Sequence, residues 1–150
     1  MNIKLTMAAL AVSSLAGCEI PVMMAASANG GEMTGIFEVT LPAMALIQIE
    51  DGSEELLVGE MRGKASGNAE FDMTGPIFGD CSGAANREGK MTMTCTNGYS
   101  VVAQGEPARA SMSGIVLSAG TAGGFAFKSA FGWGGEANEG AIRAALAENG

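Results

Sequence analysis

The sequence contains no histidine, and it has one tryptophan and one tyrosine. Without histidine the chain lacks the commonest general base, the commonest metal ligand and the base of a Ser-His-Asp triad. It also lacks a continuous apolar stretch of the ~20 residues that a transmembrane helix needs. Aromatic residues are few and glycine accounts for 23 of the 150 residues, which favours tight turns and a thin core over long helices.

Basic residues are scarce as well. The chain has 8 lysines and arginines against 16 aspartates and glutamates, which gives a formal net charge of −8. This balance argues against binding to nucleic acid or directly to anionic lipid, because both ligands are themselves negative. It suits a solvated surface or a basic partner.

The N-terminus has the pattern of a secretory signal. Lys4 is followed by the apolar run Leu5–Val12 and then by small residues, which is typical of a cleaved signal peptide. Residues 15–18, Leu-Ala-Gly-Cys, resemble the lipobox of bacterial lipoproteins. That resemblance implies cleavage before Cys18, acylation of its thiol and amino group by fatty acids such as palmitate, and stable membrane anchoring. The alternative is an ordinary cleaved signal in which Cys18 has no role.

The same resemblance implies a place in the cell envelope. In Gram-negative lipoproteins an Asp after the acylated cysteine is associated with the inner membrane, so Glu19 favours the outer membrane, facing the periplasm. We expect a signal peptide at 1–17 and the lipidated Cys18 with a flexible tether at 18–33, because residues 19–33 show no periodicity. After the tether we expect a β domain at 34–135 and a C-terminal helix at 136–150.

Two cysteines remain once Cys18 is assigned to lipid. Cys81 and Cys95 form an even pair in an oxidising compartment, where disulfides persist. A disulfide closing a loop of roughly 15 residues contributes about 3 kcal/mol in the chain-entropy model. Free or redox-active thiols are the alternative, although the chain has no Cys-x-x-Cys motif.

Within the β domain the apolar residues recur with a period of two. Lys90–Thr96 is the clearest case, with two methionines and Cys95 predicted to face the core and three threonines to face solvent. Turns are predicted at Asp51-Gly52, at Asn97-Gly98 and at 119–122. Short strands with such turns predict a mainly β fold, an antiparallel meander closed into a small barrel or folded as a sandwich.

The C-terminal segment differs in composition. Residues 138–149 are rich in alanine, and Ile142, Ala145 and Leu146 would share one face of a helix. Asn138 is a suitable N-cap. We expect one short helix there, docked on a sheet or covering a barrel mouth.

A second resemblance covers residues 66–132. The segments that carry it are Gly79–Gly83, Met93–Gly98, Ser113–Leu117 and Gly124–Phe127. They are similar to a widespread group of small, uncharacterised alphaproteobacterial envelope proteins, which pair Cys-x-Gly with a later Cys-x-Asp-Gly-Arg. This chain has Asn-Gly-Tyr at 97–99 where the group has Asp-Gly-Arg. The resemblance implies a β fold and a disulfide, and no activity.

Several motifs invite a catalytic or metal-binding interpretation, and each also has a structural one. Gly79–Gly83 resembles the surroundings of a serine protease nucleophile, but Cys81 breaks the pattern and no histidine exists to activate Ser82. Four carboxylates in Glu50–Glu55 suit Ca²⁺ chemically, although their spacing matches no calcium loop and acidic hairpin tips favour solubility. The pair Glu70 and Asp72 suits glycoside hydrolysis or a solvated strand face.

The methionines allow copper binding through thioethers or simple core filling, and their period-two spacing favours the core. The methionines concerned include Met61, Met73, Met91, Met93 and Met112. Trp133 is either a core residue or a binding hot spot. We name Trp133 and the acidic Glu54 as candidate interaction residues.

These observations lead to one main expectation and two alternatives. We expect a non-enzymatic, membrane-anchored periplasmic lipoprotein that presents a disulfide-bonded β domain for interaction or envelope structure. It would have no catalytic residue, metal or cofactor, and its partner would be an envelope protein; a basic one suits the net charge. The first alternative is a binder of a basic enzyme, since Ser66–Phe71 loosely resembles the Ser-Gly-x-x-Tyr loop of membrane-bound lysozyme inhibitors. The second alternative is a small apolar ligand held inside the barrel.

Overall fold

The computed structural model describes residues 19–149, so the predicted signal peptide and Cys18 lie outside the described residues. Within this range the chain forms nine strands, two α-helices and one 3-10 turn. The helices are α1 (Glu19–Ala28) and α2 (Glu139–Glu148), and the 3-10 turn is Gly134–Glu136. The strands are β1 (Glu32–Gly35), β2 (Glu38–Ile49), β3 (Glu54–Lys64), β4 (Ala69–Gly75), β5 (Gly79–Ala85), β6 (Lys90–Cys95), β7 (Ser100–Gly105), β8 (Gly114–Ala122) and β9 (Phe125–Trp133).

Strands β2 to β9 form a closed antiparallel barrel of eight strands. Each strand pairs with the next one along the chain, and β2 also pairs with β9, from Ala43 opposite Trp133 to Ile49 opposite Phe127. Strand β1 is an extra strand that pairs with the start of β2, at Val39 and Thr40. The predicted meander is therefore a barrel, and closure leaves no free edge on its eight strands.

The period-two pattern places apolar side chains inside the barrel. On β6, Met93 and Cys95 are buried and the intervening threonines are exposed, as predicted. On β9 the alternate residues Phe127, Ser129 and Phe131 are buried. The Ser129 hydroxyl forms a 2.7 Å hydrogen bond with the Ser118 hydroxyl of β8, so these two buried polar groups satisfy each other.

The two ends of the barrel differ. At the closed end, which carries the turns β2–β3, β4–β5, β6–β7 and β8–β9, the fully buried Phe78 packs edge-to-face on Tyr99 with ring centroids 5.1 Å apart. The Phe78 carbonyl accepts a hydrogen bond from the Asn97 N–H at 3.2 Å, which ties two of these turns together. The open end carries β1 and the connections β3–β4, β5–β6 and β7–β8.

Helix α2 lies on the outer surface of the barrel and not over its mouth. Its buried residues Ile142 and Leu146 pack against Leu46 and Ala130. The predicted N-cap is confirmed, since the Asn138 side chain accepts a 2.8 Å hydrogen bond from the backbone N–H three residues later.

Two local expectations differ from the structure. Residues 19–28, predicted as part of a flexible tether, form helix α1, in which Ala26 is fully buried. The turn predicted at 119–122 is wrong, because β8 continues through Ala122 and the chain reverses at Gly123 and Gly124. Both glycines have positive φ, of 57° and 87°, which explains why the turn forms there.

Candidate functional site

The open end of the barrel contains a cavity of about 540 Å³. It exists because the inner wall near the mouth carries short side chains. Gly63 is the register partner of Ala69, which in turn pairs with Ala85, so three adjacent strands present glycine or alanine at one level. Deeper in the barrel the bulky Phe71 and Phe131 occupy the interior, with ring centroids 5.5 Å apart. The cavity is therefore a space above an aromatic floor.

Trp133 forms part of the cavity wall. Its indole N–H donates a 3.0 Å hydrogen bond to the Ser111 carbonyl, and its ring centroid lies 6.3 Å from that of Phe131. The ring packs over Gly114, its register partner on β8, where a Cβ would come within 2.6 Å of the indole. The polar atom of Trp133 is thus satisfied by the protein, and its apolar ring faces the cavity.

The wall of the cavity is mostly apolar. Its charged residues are Glu38, Lys64 and Arg109. The Lys64 ammonium lies 3.5 Å from Glu70, and Arg109 is exposed on the β7–β8 connection, where it has no ion-pair partner among residues 19–149. Any bound molecule would therefore meet apolar surface inside the barrel and charge only towards its mouth.

Large apolar side chains are exposed around the mouth. The two residues between β1 and β2, Ile36 and Phe37, are 87% and 76% exposed, and both line the cavity entrance together with Val22 of α1. Phe37 has φ of +62°, the single positive value among the non-glycine residues from 19 to 149. Such hairpin positions usually carry Asn or Gly, so a bulky residue there is a local conflict of the kind found at functional sites.

The two candidate interaction residues lie at opposite ends of the barrel. Trp133 lies at the cavity, whereas Glu54 starts β3 beside the closed-end turn. Glu54 accepts hydrogen bonds from Arg143 of α2 at 2.9 Å and from Gln48 at 2.7 Å. The hydrogen bond from Arg143, and secondly that from Gln48, lowers the pKa of the Glu54 carboxyl below its ordinary value. Glu54 thus helps to hold α2 on the barrel.

The predicted disulfide is present. Cys81 and Cys95 are register partners on β5 and β6, with Cα atoms 4.0 Å apart, and both are buried in the barrel interior. The bond joins two neighbouring strands next to the closed-end turns. Gly79–Gly83 therefore belongs to strand β5, which carries the disulfide.

The acidic segment Glu50–Glu55 divides in two. Asp51 accepts hydrogen bonds from the Ser53 hydroxyl and from its backbone N–H at 2.8 Å, and these bonds lower the pKa of the Asp51 carboxyl. Glu55 instead points into the barrel, is 1% exposed, and accepts a 3.0 Å hydrogen bond from the Ile77 N–H. Among residues 19–149 no three acidic or cysteine side chains lie close enough together to hold a metal ion.

The exposed strand carboxylates are paired with basic groups. Asp72 lies 3.0 Å from Arg62 and accepts a 2.7 Å hydrogen bond from the Ser82 hydroxyl, while Glu70 lies 3.7 Å from the same arginine. Of the two interpretations of Glu70 and Asp72, these contacts support the solvated strand face. The segment that resembles an inhibitor motif, Ser66–Phe71, spans the β3–β4 turn and the start of β4, and its final residue, Phe71, is buried inside the barrel.

The sequence prediction missed the mouth itself. Ile36 and Phe37 form an adjacent apolar pair between the short strand β1 and the long strand β2, and this pair was the available signal. The small residues Ala69 and Ala85 gave no signal, because their effect depends on strand register.

Comparison of the chain with protein-family models, with curated proteins and with solved structures finds no match in any of the three. None of the helices within residues 19–149 has the length and apolar character that crossing a membrane requires.

Proposed function

We propose that this protein is a lipid-anchored envelope protein whose barrel binds one small apolar ligand, with the chemistry of a single acyl chain, at its open end. The observation that carries this proposal is the apolar cavity of about 540 Å³ above Phe71 and Phe131. Its volume lies within the range of roughly 300–1,000 Å³ that is typical of ligand pockets.

The driving force would be the removal of apolar surface from water on both partners. Each methylene group buried contributes about 0.8 kcal/mol. Because the charged groups lie towards the mouth and Lys64 is already paired with Glu70, a chain with one anionic end would bury its apolar part and leave its head near Arg109. A ligand that is polar along its whole length would lose hydrogen bonds to water without replacement.

The membrane anchor in this proposal is Cys18. Its support is the sequence of residues 15–18, which resembles a lipobox, and the apolar run before it. The outer membrane and the periplasmic side remain predictions from Glu19. The intact mass of the protein purified from membranes tests this part separately, because acylation adds fatty-acid masses to a chain that begins at Cys18.

Trp133 provides the test of ligand binding, since it is the sole tryptophan and lines the cavity. Fluorescence is titrated with a medium-chain fatty acid that carries bromine, a contact quencher, and in parallel with the unbrominated acid. The proposal predicts saturable, one-to-one quenching by the brominated acid alone. Quenching that rises linearly without saturation would show that no specific site exists.

The geometry gives less support to a lysozyme-inhibitor-like function. The aromatic residue of the Ser66–Phe71 motif faces the interior, so it is not available to an enzyme active site. The acidic balance of the chain still suits a basic partner. Inhibition assays with lysozyme at low and high salt test this alternative, because a charge-driven inhibitor weakens as salt rises.

A further inference from the structure

We infer that the open end of the barrel rests on the membrane surface, with the β1–β2 tip and helix α1 in contact with the lipid interface. This inference rests on the proposed function, and it identifies the bilayer as the source from which the ligand enters. The tip is defined as Ile36 and Phe37.

The first observation is the clustering of exposed apolar side chains. The tip residues and Val22 line the same entrance, and the next residues of α1, Met23 and Met24, are 54% and 67% exposed. Helix α1 contacts β1 and β2, so both elements belong to one surface. Isolated exposed apolar residues are ordinary on proteins, whereas a group of five at one end indicates an interaction surface.

The second observation is where the chain outside the structure joins this surface. Cys18, the predicted acylation site, immediately precedes the first residue of α1. An anchor attached there holds the open end, and not the closed end, next to the bilayer. Of the partners that could cover this apolar surface, the lipid interface is therefore the one that the anchor brings next to it.

The third observation is the backbone of the tip. Phe37 adopts φ of +62°, and its carbonyl accepts a 3.0 Å hydrogen bond from the Ala65 N–H at the end of β3. This bond fixes the tip to the barrel wall while both apolar side chains point outward. A bulky residue in a left-handed conformation is unfavourable. A role for the exposed ring in membrane contact explains why phenylalanine occupies this position.

The closed end provides the contrast. Ile77 in the β4–β5 turn and Phe125 at the start of β9 are large apolar residues exposed there, but they lie on separate hairpins. Phe125 is 47% exposed and is therefore a matched control for Phe37.

The experiment places one tryptophan at either end of the full-length protein. Two double variants, Trp133→Phe with Phe37→Trp and Trp133→Phe with Phe125→Trp, are purified from membranes and reconstituted on vesicles of the zwitterionic lipids phosphatidylethanolamine and phosphatidylcholine. Quenching by lipids brominated on their acyl chains and by aqueous acrylamide is compared. We expect at least a twofold excess of lipid quenching at position 37 and the reverse ranking with acrylamide.

Equal quenching at the two positions, or stronger lipid quenching at 125, would overturn the inference. Because Phe37→Trp alters an unusual backbone position, Ile36→Trp in the Trp133→Phe background repeats the measurement, and circular dichroism verifies each fold. The titration of Trp133 in the unmodified protein separates the two proposals. Saturable binding without contact at residue 37 refutes the orientation alone, whereas absence of saturable binding refutes the proposed function.

Discussion

Ala85 lies on the cavity wall, and its replacement by phenylalanine fills space that a ligand would need. Its register partner Ala69 on β4 is equally small, which leaves room for the new ring on that side of the cavity. We expect Ala85→Phe to fold and to bind an acyl chain much more weakly than the natural protein does.

The magnitude follows from the volume that the ring removes. A phenyl ring occupies the space of roughly four methylene groups, each of which contributes about 0.8 kcal/mol when buried. The loss is about 3 kcal/mol, which corresponds to an increase in Kd of roughly 100-fold or more. The assay is the Trp133 quenching titration, because the tryptophan is retained.

Ala84 supplies the matched control on the same strand. It is exposed and points away from the interior, so Ala84→Phe makes the same chemical change outside the barrel. We expect its Kd to stay within about twofold of the natural value, since no cavity volume is lost. Urea unfolding of both variants confirms the fold. Equal affinity in the two folded variants would refute the assignment of the cavity as the binding site.

Three further predictions concern stability. Replacing Cys81 and Cys95 together by alanine should lower the free energy of unfolding by about 3 kcal/mol, given a separation of 14 residues, and a loss below about 1 kcal/mol in urea would contradict this. Glu55→Ala should cost about 1–3 kcal/mol in the same assay, because the partly buried Ile77 N–H loses its acceptor, whereas Glu55→Gln keeps an acceptor and should cost less. Glu54 has a lowered pKa, so its pairing with Arg143 stabilises the fold fully above the ordinary pKa of 4.5 and is lost as pH falls through the folded-state value. Glu54→Gln should therefore flatten the acid limb of the pH–stability curve. An unchanged limb would contradict a stabilising role for the pairing of Glu54 with Arg143.

Local patterns in the sequence predicted the strands well. The alternation in Lys90–Thr96 and the turns at Asp51-Gly52 and Asn97-Gly98 depend on neighbouring residues, and each has its expected place in the structure. The disulfide was predicted because Cys81 and Cys95 were the pair left after assignment of Cys18. Asn138 was recognisable as a cap from its position before the alanine-rich segment.

Features that depend on long-range pairing could not be predicted. A closed barrel was one of the two predicted architectures, but the choice between barrel and sandwich depends on the pairing of β2 with β9, and residues so far apart in sequence carry no signal of that contact. Glu55 follows an acidic turn and reads as solvent-exposed, yet the register of β3 points it into the barrel. The cavity has the same origin, since Ala69 and Ala85 create space only because the register places them side by side.

The presence of an acyl ligand in the barrel is tested most directly by native mass spectrometry. The full-length protein is released from nanodiscs made with its own membranes, alongside the Ala85→Phe variant. The proposal predicts one non-covalent acyl lipid per chain in the natural protein and none in the variant. Natural protein that carries no lipid, and takes up none from an added fatty acid, would contradict it.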